Sequence, residues 1–222
     1  MNKRLIIVGI LILGIAIAGK LLFLAAKNIK VDDFHKSAVI FVLDSSASNQ
    51  NMLDKEIKYI KSLCSILDPE DEIKILKVSQ DSYLIYEGTP SDQSGITKAV
   101  SKFTQLDKNA YGTAYGTALK KAFSHCLTMK KEGYNTSVVV IGDLENEGNT
   151  DGQINWETLS ENVKKVQENI PELAMMFVYA HPSKLDMVKE KLTPVLGEKK
   201  LIIANEENAD KSQRRFLEAI GR

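Results

Sequence analysis

The feature that most constrains this chain is a set of short apolar runs that do not alternate: SAVIFVL at 37–43, TSVVVIG at 136–142 and LAMMFVYA at 173–180. A strand with one wet face alternates apolar and polar side chains, whereas a strand covered on both faces reads as a continuous apolar run. Helical stripes lie between these runs. Leu53, Ile57, Ile60, Cys64 and Leu67 recur at helical spacing over 52–67, and Ala118/Leu119, Ala122/Phe123 and Cys126/Leu127 recur four apart over 114–132. Ile96, Val100 and Phe103 mark a short helix; others are expected at 157–169, 184–193 and 209–220, with a further strand at 200–205. The segments 72–79 and 82–87 are separated by Gln80 and Asp81 alone. A parallel crossover needs about a dozen residues, so these two must form an antiparallel hairpin. The expected fold is α/β, one domain over 37–222 built on a doubly wound open sheet of six strands. The sheet is mostly parallel with one antiparallel edge strand, and helices cover both faces.

Ahead of this domain, residues 5–26 (LIIVGILILGIAIAGKLLFLAA) carry a single charge, Lys20. At about 1.5 Å per residue, a helix of this length covers the roughly 30 Å of a bilayer core. The expected division is a basic N-terminus at 1–4, one transmembrane helix at 5–26, a polar tether at 27–36 and the domain at 37–222. A cleaved signal peptide is the competing reading, with an apolar region at 5–15 and an AxA-like cut at Ala16, Ile17 and Ala18. That cut would leave LLFLAA as an apolar stretch near the new N-terminus, so a signal anchor is favoured. Lys3 and Arg4 orient the N-terminus toward the cytoplasm. The chain is then a single-pass membrane protein with its domain outside the cytoplasm.

The 29 bases and 29 acids of the chain cancel, but residues 1–27 hold four of the bases and none of the acids, so the remainder is acidic by four. An acidic domain without a basic stripe interleaved with aromatics argues against nucleic-acid binding. No Walker loop or GxGxxG follows any strand, which argues against nucleotide binding. Cys64 and Cys126 fall on apolar helix faces and lack CxxC spacing, so two buried thiols are expected, although two cysteines could also make one bridge. His35, His125 and His181 are scattered, with no metal-ligand spacing.

In open α/β sheets ligands bind outside the carboxyl ends of the strands, where the strand order reverses. The first strand runs into Asp44, Ser45, Ser46, Ala47 and Ser48, while VVVI is followed by Gly142 and Asp143. Gly112 and Thr113 lie in the loop before the 114–132 helix. If the first strand neighbours the 136–142 strand, two carboxylates and the hydroxyls of Ser46, Ser48 and Thr113 meet in one crevice. All are hard oxygen donors, suited to Mg²⁺, Mn²⁺ or Ca²⁺ and not to Zn²⁺ or copper. Each also has an ordinary structural role, since Ser and Asp satisfy turns and Thr113 can cap the following helix. Only their joint placement favours a site.

DSSAS (Asp44–Ser48) matches the DxSxS signature of the von Willebrand factor type A domain, also called the integrin I domain. GTAYGTAL (Gly112–Leu119) resembles that family's threonine loop and following helix, and VVVIGD (Val138–Asp143) resembles its second aspartate strand. The three occur in the family's order, within a similar series of strands and helices over 37–220. The resemblance implies a Rossmann-like sheet of order 3-2-1-4-5-6, in which the first and fourth strands adjoin. It also implies a metal-ion-dependent adhesion site, with Asp44, Ser46, Ser48, Thr113 and Asp143 holding a divalent cation directly or through water. Mg²⁺ is expected first, with Mn²⁺ or Ca²⁺ as alternatives. Because hydroxyls are neutral, two aspartates barely balance the cation, which keeps a position open for an Asp or Glu of a protein partner. One departure stands out. The family often has Thr-Asp-Gly where this chain has Gly142, Asp143 and Leu144, so a hydroxyl beside the second aspartate is missing.

Three functions remain open. The first is a membrane-tethered, metal-dependent protein-binding module for adhesion or assembly, without catalytic residues. The second is a degenerate A domain that serves as a structural partner without metal. The third is a Mg²⁺-dependent phosphohydrolase-type enzyme, for which no nucleophile or base can be assigned; haloacid-dehalogenase-like chemistry wants a second carboxylate where Ser46 stands. The stretch DLENEG (143–148) fails as a calcium loop, because Ile154 occupies the place of the bidentate Glu. It is expected instead, as part of 145–151, to form a rim around the metal together with Asn49–Met52.

Overall fold

The computed structural model of the chain describes residues 36–46, 49, 51–106, 112–145 and 152–222. His35–Arg222 forms one compact unit. The expected transmembrane helix at 5–26, Ser48 and the stretch 146–151 lie outside the described residues. Among the described residues, no helix is long and apolar enough to cross a membrane.

The elements follow in the order β1 (Ser37–Asp44), α1 (Leu53–Cys64), β2 (Glu72–Val78), β3 (Ser82–Gly88), α2 (Gln93–Leu106), α3 (Tyr115–Lys131), β4 (Asn135–Ile141), α4 (Trp156–Asn169), β5 (Ala174–Val178), α5 (Pro182–Leu196), β6 (Leu201–Ala204) and α6 (Ala209–Ala219). Among the described residues, six strands form one sheet in the order β3-β2-β1-β4-β5-β6, the order that the family resemblance implies. All neighbours pair in parallel except β2 and β3, the hairpin forced by its two-residue connection.

The apolar runs are continuous because helices cover the sheet on both faces. Every residue of β1 is buried. Ile40 and Val42 pack into one cluster with Tyr115, Leu119 and Phe123 of α3, Val163 of α4 and Leu192 of α5. Val39, Phe41 and Leu43 pack into the other with Ile60 and Leu63 of α1, Val100 of α2 and Phe216 of α6. At about 1.5–3 kcal/mol for each fully buried Val, Leu, Ile or Phe, this strand contributes to both cores at once. Cys126 belongs to the first cluster and Cys64 to the second. Both are free thiols, and the sheet separates them, so they do not pair.

Three helices depart from the periodicity in instructive ways. The stripe of α1 is rotated from the expected Leu53, Ile57, Ile60 line, so that Glu56, Tyr59, Ile60, Leu63 and Cys64 are buried and Ile57 only partly so. The short helix expected around Ile96 extends over 14 residues. Helix α5 begins at Pro182, whose fixed φ suits the first helical position, and it continues through Pro194. Near the end of a helix a proline forfeits one hydrogen bond, and burial of Leu192 and Leu196 on either side offsets that loss.

The sheet positions the site through its switch point. From β1 the chain moves outward to β2 and β3, and from β4 it moves the other way to β5 and β6. Asp44 lies opposite Val78 of β2, and Leu43 lies opposite Ile141 of β4. The loops leaving β1 and β4 therefore start side by side.

Candidate metal centre

Asp44, the last residue of β1, is wholly buried. Its Oδ1 accepts a hydrogen bond from the Ser46 amide at 2.8 Å, and its Oδ2 accepts one from the Tyr115 hydroxyl at 2.7 Å. Ser45 anchors the start of the loop, since its amide and hydroxyl both donate to the Val78 carbonyl, at 2.8 and 3.0 Å. Ser46 is buried next to it. The loop ahead of α3 is held in turn by the Ala114 amide, which donates to the Ser79 carbonyl at 2.7 Å. That bond fixes Thr113 in a buried position, where its hydroxyl finds no hydrogen-bond partner among the described residues. Asp143 is half-buried; its Oδ1 accepts from the Glu145 amide at 2.8 Å, and its carbonyl accepts from the His181 amide at 2.9 Å.

Gly142 shows how closely the two strand ends meet. A Cβ built on it would lie 2.5 Å from the Asp44 Cβ and 2.2 Å from the Tyr115 hydroxyl oxygen, and its φ of +142° is one that side chains resist. The missing family threonine is thereby explained. No side chain fits at residue 142, and the Tyr115 hydroxyl fills the space while hydrogen-bonding Asp44. The same hydroxyl accepts from the Leu144 amide at 3.3 Å, with Leu144 in the left-handed region at φ 63°. A non-glycine residue there is strained, a feature that concentrates at functional sites.

The electrostatics follow from this burial. Burial chiefly raises the Asp44 carboxyl to about 6; the hydrogen bonds from Ser46 and Tyr115 pull it down, while the charge of Asp143 pushes it up. Asp143 is also raised, mainly by burial, with His181 and Lys184 opposing the shift. Glu56 of α1 is buried and raised well above the carboxylate range, first by desolvation and then by the charges of Asp44 and Asp143, against the bond it accepts from Asn49.

The structure thus brings Asp44, Ser46, Thr113 and Asp143 to one edge of the sheet, while Ser48 lies outside the described residues. Among the described residues no group of three or more His, Cys, Asp or Glu side chains could hold a metal ion, so a cation here would depend on hydroxyls. The donors fit that role: they are all oxygens, two carry charge, and the buried Thr113 hydroxyl has an unused lone pair. One expectation needs correction. Asn49 does not form a rim, because it is buried with its amide turned inward onto Asp44 and Glu56. Tyr115 and Glu56 are the residues that sequence reasoning missed, and Asn49 is one that it placed on the rim instead of inside. For Glu56 a signal existed, since it precedes Ile60, Leu63 and Leu67 at helical spacing and so puts an acid in the buried stripe. The cavity of about 180 Å³ between α3 and α4, lined by Leu119, Phe123 and Leu159, contains none of these residues. The chemistry points to the strand ends instead.

Asp44, Ser46, Thr113 and Asp143 place oxygen donors at the switch point of an open α/β sheet. Residues 39–147 match the von Willebrand factor type A domain family. No curated protein sequence matches the chain. Among solved structures, the SpRpn10 VWA domain is similar at 10% identity and TM-score 0.58, covering 77% of this chain and 87% of that one. An aerotolerance-related membrane protein from Bacteroides fragilis is similar at 15% identity and TM-score 0.56, covering 83% and 98%. Proximal thread matrix protein 1 from the mussel byssus, solved with a zinc-occupied MIDAS motif, is similar at 12% identity and TM-score 0.58. That likeness covers 83% of this chain, which spans 48% of the mussel chain. The family match and the shared fold support a von Willebrand factor type A domain.

Proposed function

We propose that the chain is a membrane-tethered, metal-dependent protein-binding module. Asp44, Ser46, Ser48, Thr113 and Asp143 hold a divalent cation, Mg²⁺ in the first instance, and a protein partner presents an Asp or Glu to it. The observation that carries this reading is a wholly buried carboxylate, Asp44, whose charged neighbour is another carboxylate, at the same edge of the sheet as a buried Thr113 hydroxyl with no hydrogen-bond partner among the described residues. Such groups destabilise a fold unless a ligand satisfies them. Asp44 and Asp143 bring negative charge, and the serine and threonine hydroxyls bring neutral oxygens. A cation bound there would supply attraction for a partner's carboxylate. The zinc-occupied MIDAS motif of the mussel protein supports a divalent cation in this place, and the apolar length of 5–26 is what favours the tether. The basic N-terminus then leaves the domain outside the cytoplasm. Binding is the output, because the site residues supply ligands without a paired nucleophile and base.

A metal-free structural domain is the second reading, favoured by the fact that the Ser46 amide and Tyr115 hydroxyl already engage both oxygens of Asp44. Thermal unfolding of the full-length chain in mild detergent separates the two. Mg²⁺ at a hundredfold excess over its Kd should stabilise the protein by about 2.7 kcal/mol. EDTA should remove that gain, and Asp44→Ala should abolish it. A wild-type curve indifferent to Mg²⁺, Mn²⁺ and EDTA would leave only the metal-free domain.

A further inference from the structure

Glu56 is fully buried in the first turn of α1, and a buried carboxylate is costly wherever it goes unpaired. Its Oε1 accepts from the Asn49 side-chain amide at 2.6 Å, while its Oε2 has no hydrogen-bond partner among the described residues. The same Asn49 nitrogen donates to the backbone carbonyl of Asp44 at 3.2 Å. Asn49 is itself buried, and its backbone amide donates to the Ser46 carbonyl at 3.2 Å. The arc from Asp44 to Asn49 is therefore tied at both ends.

An amide nitrogen has two protons, and here both are used. The Asp44 carbonyl can only accept, and Glu56 accepts at Oε1 whether or not Oε2 holds a proton, so the two fix which way the Asn49 amide faces. Turned over, that amide would set its own oxygen against two acceptors. A leucine at residue 56 would fill the same space without the burial penalty but could not orient Asn49. From this geometry we infer that Glu56 is a positioning residue for the candidate metal centre, acting through Asn49 to hold the loop after β1 in the shape that presents Ser46. What this says of cation affinity rests on the function proposed above; what it says of the loop does not.

The test uses the full-length chain in mild detergent, with Mn²⁺ affinity read from the spin-resonance signal of the free ion. Removing a partner that orients a metal ligand typically weakens affinity about 10–100-fold. Asn49→Ala and Glu56→Leu should each do so by on the order of tenfold, and the double variant should be no weaker than either single one, because the two act as a unit. Glu56→Gln keeps an acceptor of the same reach and should stay within about twofold of wild type. Glu56→Asp keeps the charge but withdraws the oxygen, and should be as weak as Glu56→Leu; it replaces that variant if Glu56→Leu does not unfold cooperatively. Losses that multiply in the double variant, or an unchanged affinity in Glu56→Asp, would overturn the inference. If the wild type takes up no Mn²⁺, the cation reading fails and the loop is judged by hydrogen exchange. The Ser46 amide should exchange about tenfold faster in Asn49→Ala and Glu56→Asp than in wild type, and equal rates would overturn the inference.

Discussion

Asp44 and Asp71 are both wholly buried, yet they sit at opposite edges of the sheet in opposite circumstances. Asp71 immediately precedes β2, at the amino edge. It accepts from the Ser37 amide at 2.8 Å and from the Asp68 amide at 3.0 Å, and it pairs with the Arg222 guanidinium. Asp44, at the carboxyl edge, has an amide and a phenol as donors, and the charge bearing on it is that of Asp143. A carboxylate that meets a base and two amides joins three parts of a fold: here the start of β1, the turn before β2 and Arg222. A carboxylate left with another acid is poised to take a positive charge from outside. The contrast separates a structural acid from a candidate ligand when burial alone cannot.

The largest expected effect would break the structural side of this contrast. Asp71→Asn removes the charge opposite Arg222 while keeping the shape, and breaking a buried pair from one side costs about 3–5 kcal/mol. Urea unfolding of the full-length chain should show this loss equally in Mg²⁺ and in EDTA. A loss below about 1 kcal/mol would mean the pair behaves like an exposed one.

The next effect concerns pH and starts from Asp44. Its folded carboxyl is raised from 3.8 to about 6, so the folded state holds the proton more tightly than the unfolded chain does. Stability from this source is fully present below about pH 4 and is lost as pH rises through about 6. The shift corresponds to on the order of 3 kcal/mol. Urea midpoints in EDTA should therefore fall between pH 4 and 7, and Asp143 and Glu56, raised in the same direction, add to the fall. Asp44→Asn should flatten the curve. Coincident slopes for wild type and Asp44→Asn would show that Asp44 is not an uncompensated acid.

The covered strands and the strand-end places of Asp44 and Asp143 were legible in the residues themselves, whereas the strand order came from the family resemblance. Unbroken apolar runs show which strands are covered on both faces, and the polar residue that ends such a run stands at the strand's carboxyl edge. Asp44 and Asp143 were found that way, and Thr113 by its loop. Tyr115 was hidden because an aromatic in an amphipathic helix reads as core, and it is core, except for a hydroxyl that reaches Asp44 71 residues away in sequence. Glu56 was hidden because α1 carries several charges and its buried line is rotated from the one marked by Leu53 and Ile57. Asn49 read as rim because asparagine in a loop usually faces water, and it is Glu56 and the Asp44 carbonyl that turn it inward. In each case the deciding contact crosses between elements, where no local period records it.

The smallest effect sharpens the contrast most finely. Tyr115→Phe removes one donor from Asp44 Oδ2 and the acceptor of the Leu144 amide, at little change in volume. A net hydrogen bond is worth about 0.5–1.5 kcal/mol, so a loss near 1 kcal/mol is expected from urea unfolding in EDTA. In Mg²⁺ the loss should shrink, because a cation gives Asp44 the positive partner for which the phenol partly substitutes, and Mg²⁺ affinity should not fall. Glu56→Asp and Asn49→Ala are expected to do the reverse, lowering affinity through the loop. If Tyr115→Phe loses the same stability in Mg²⁺ as in EDTA, the phenol is the lasting partner of Asp44, and Asp44 belongs with Asp71 among the structural acids.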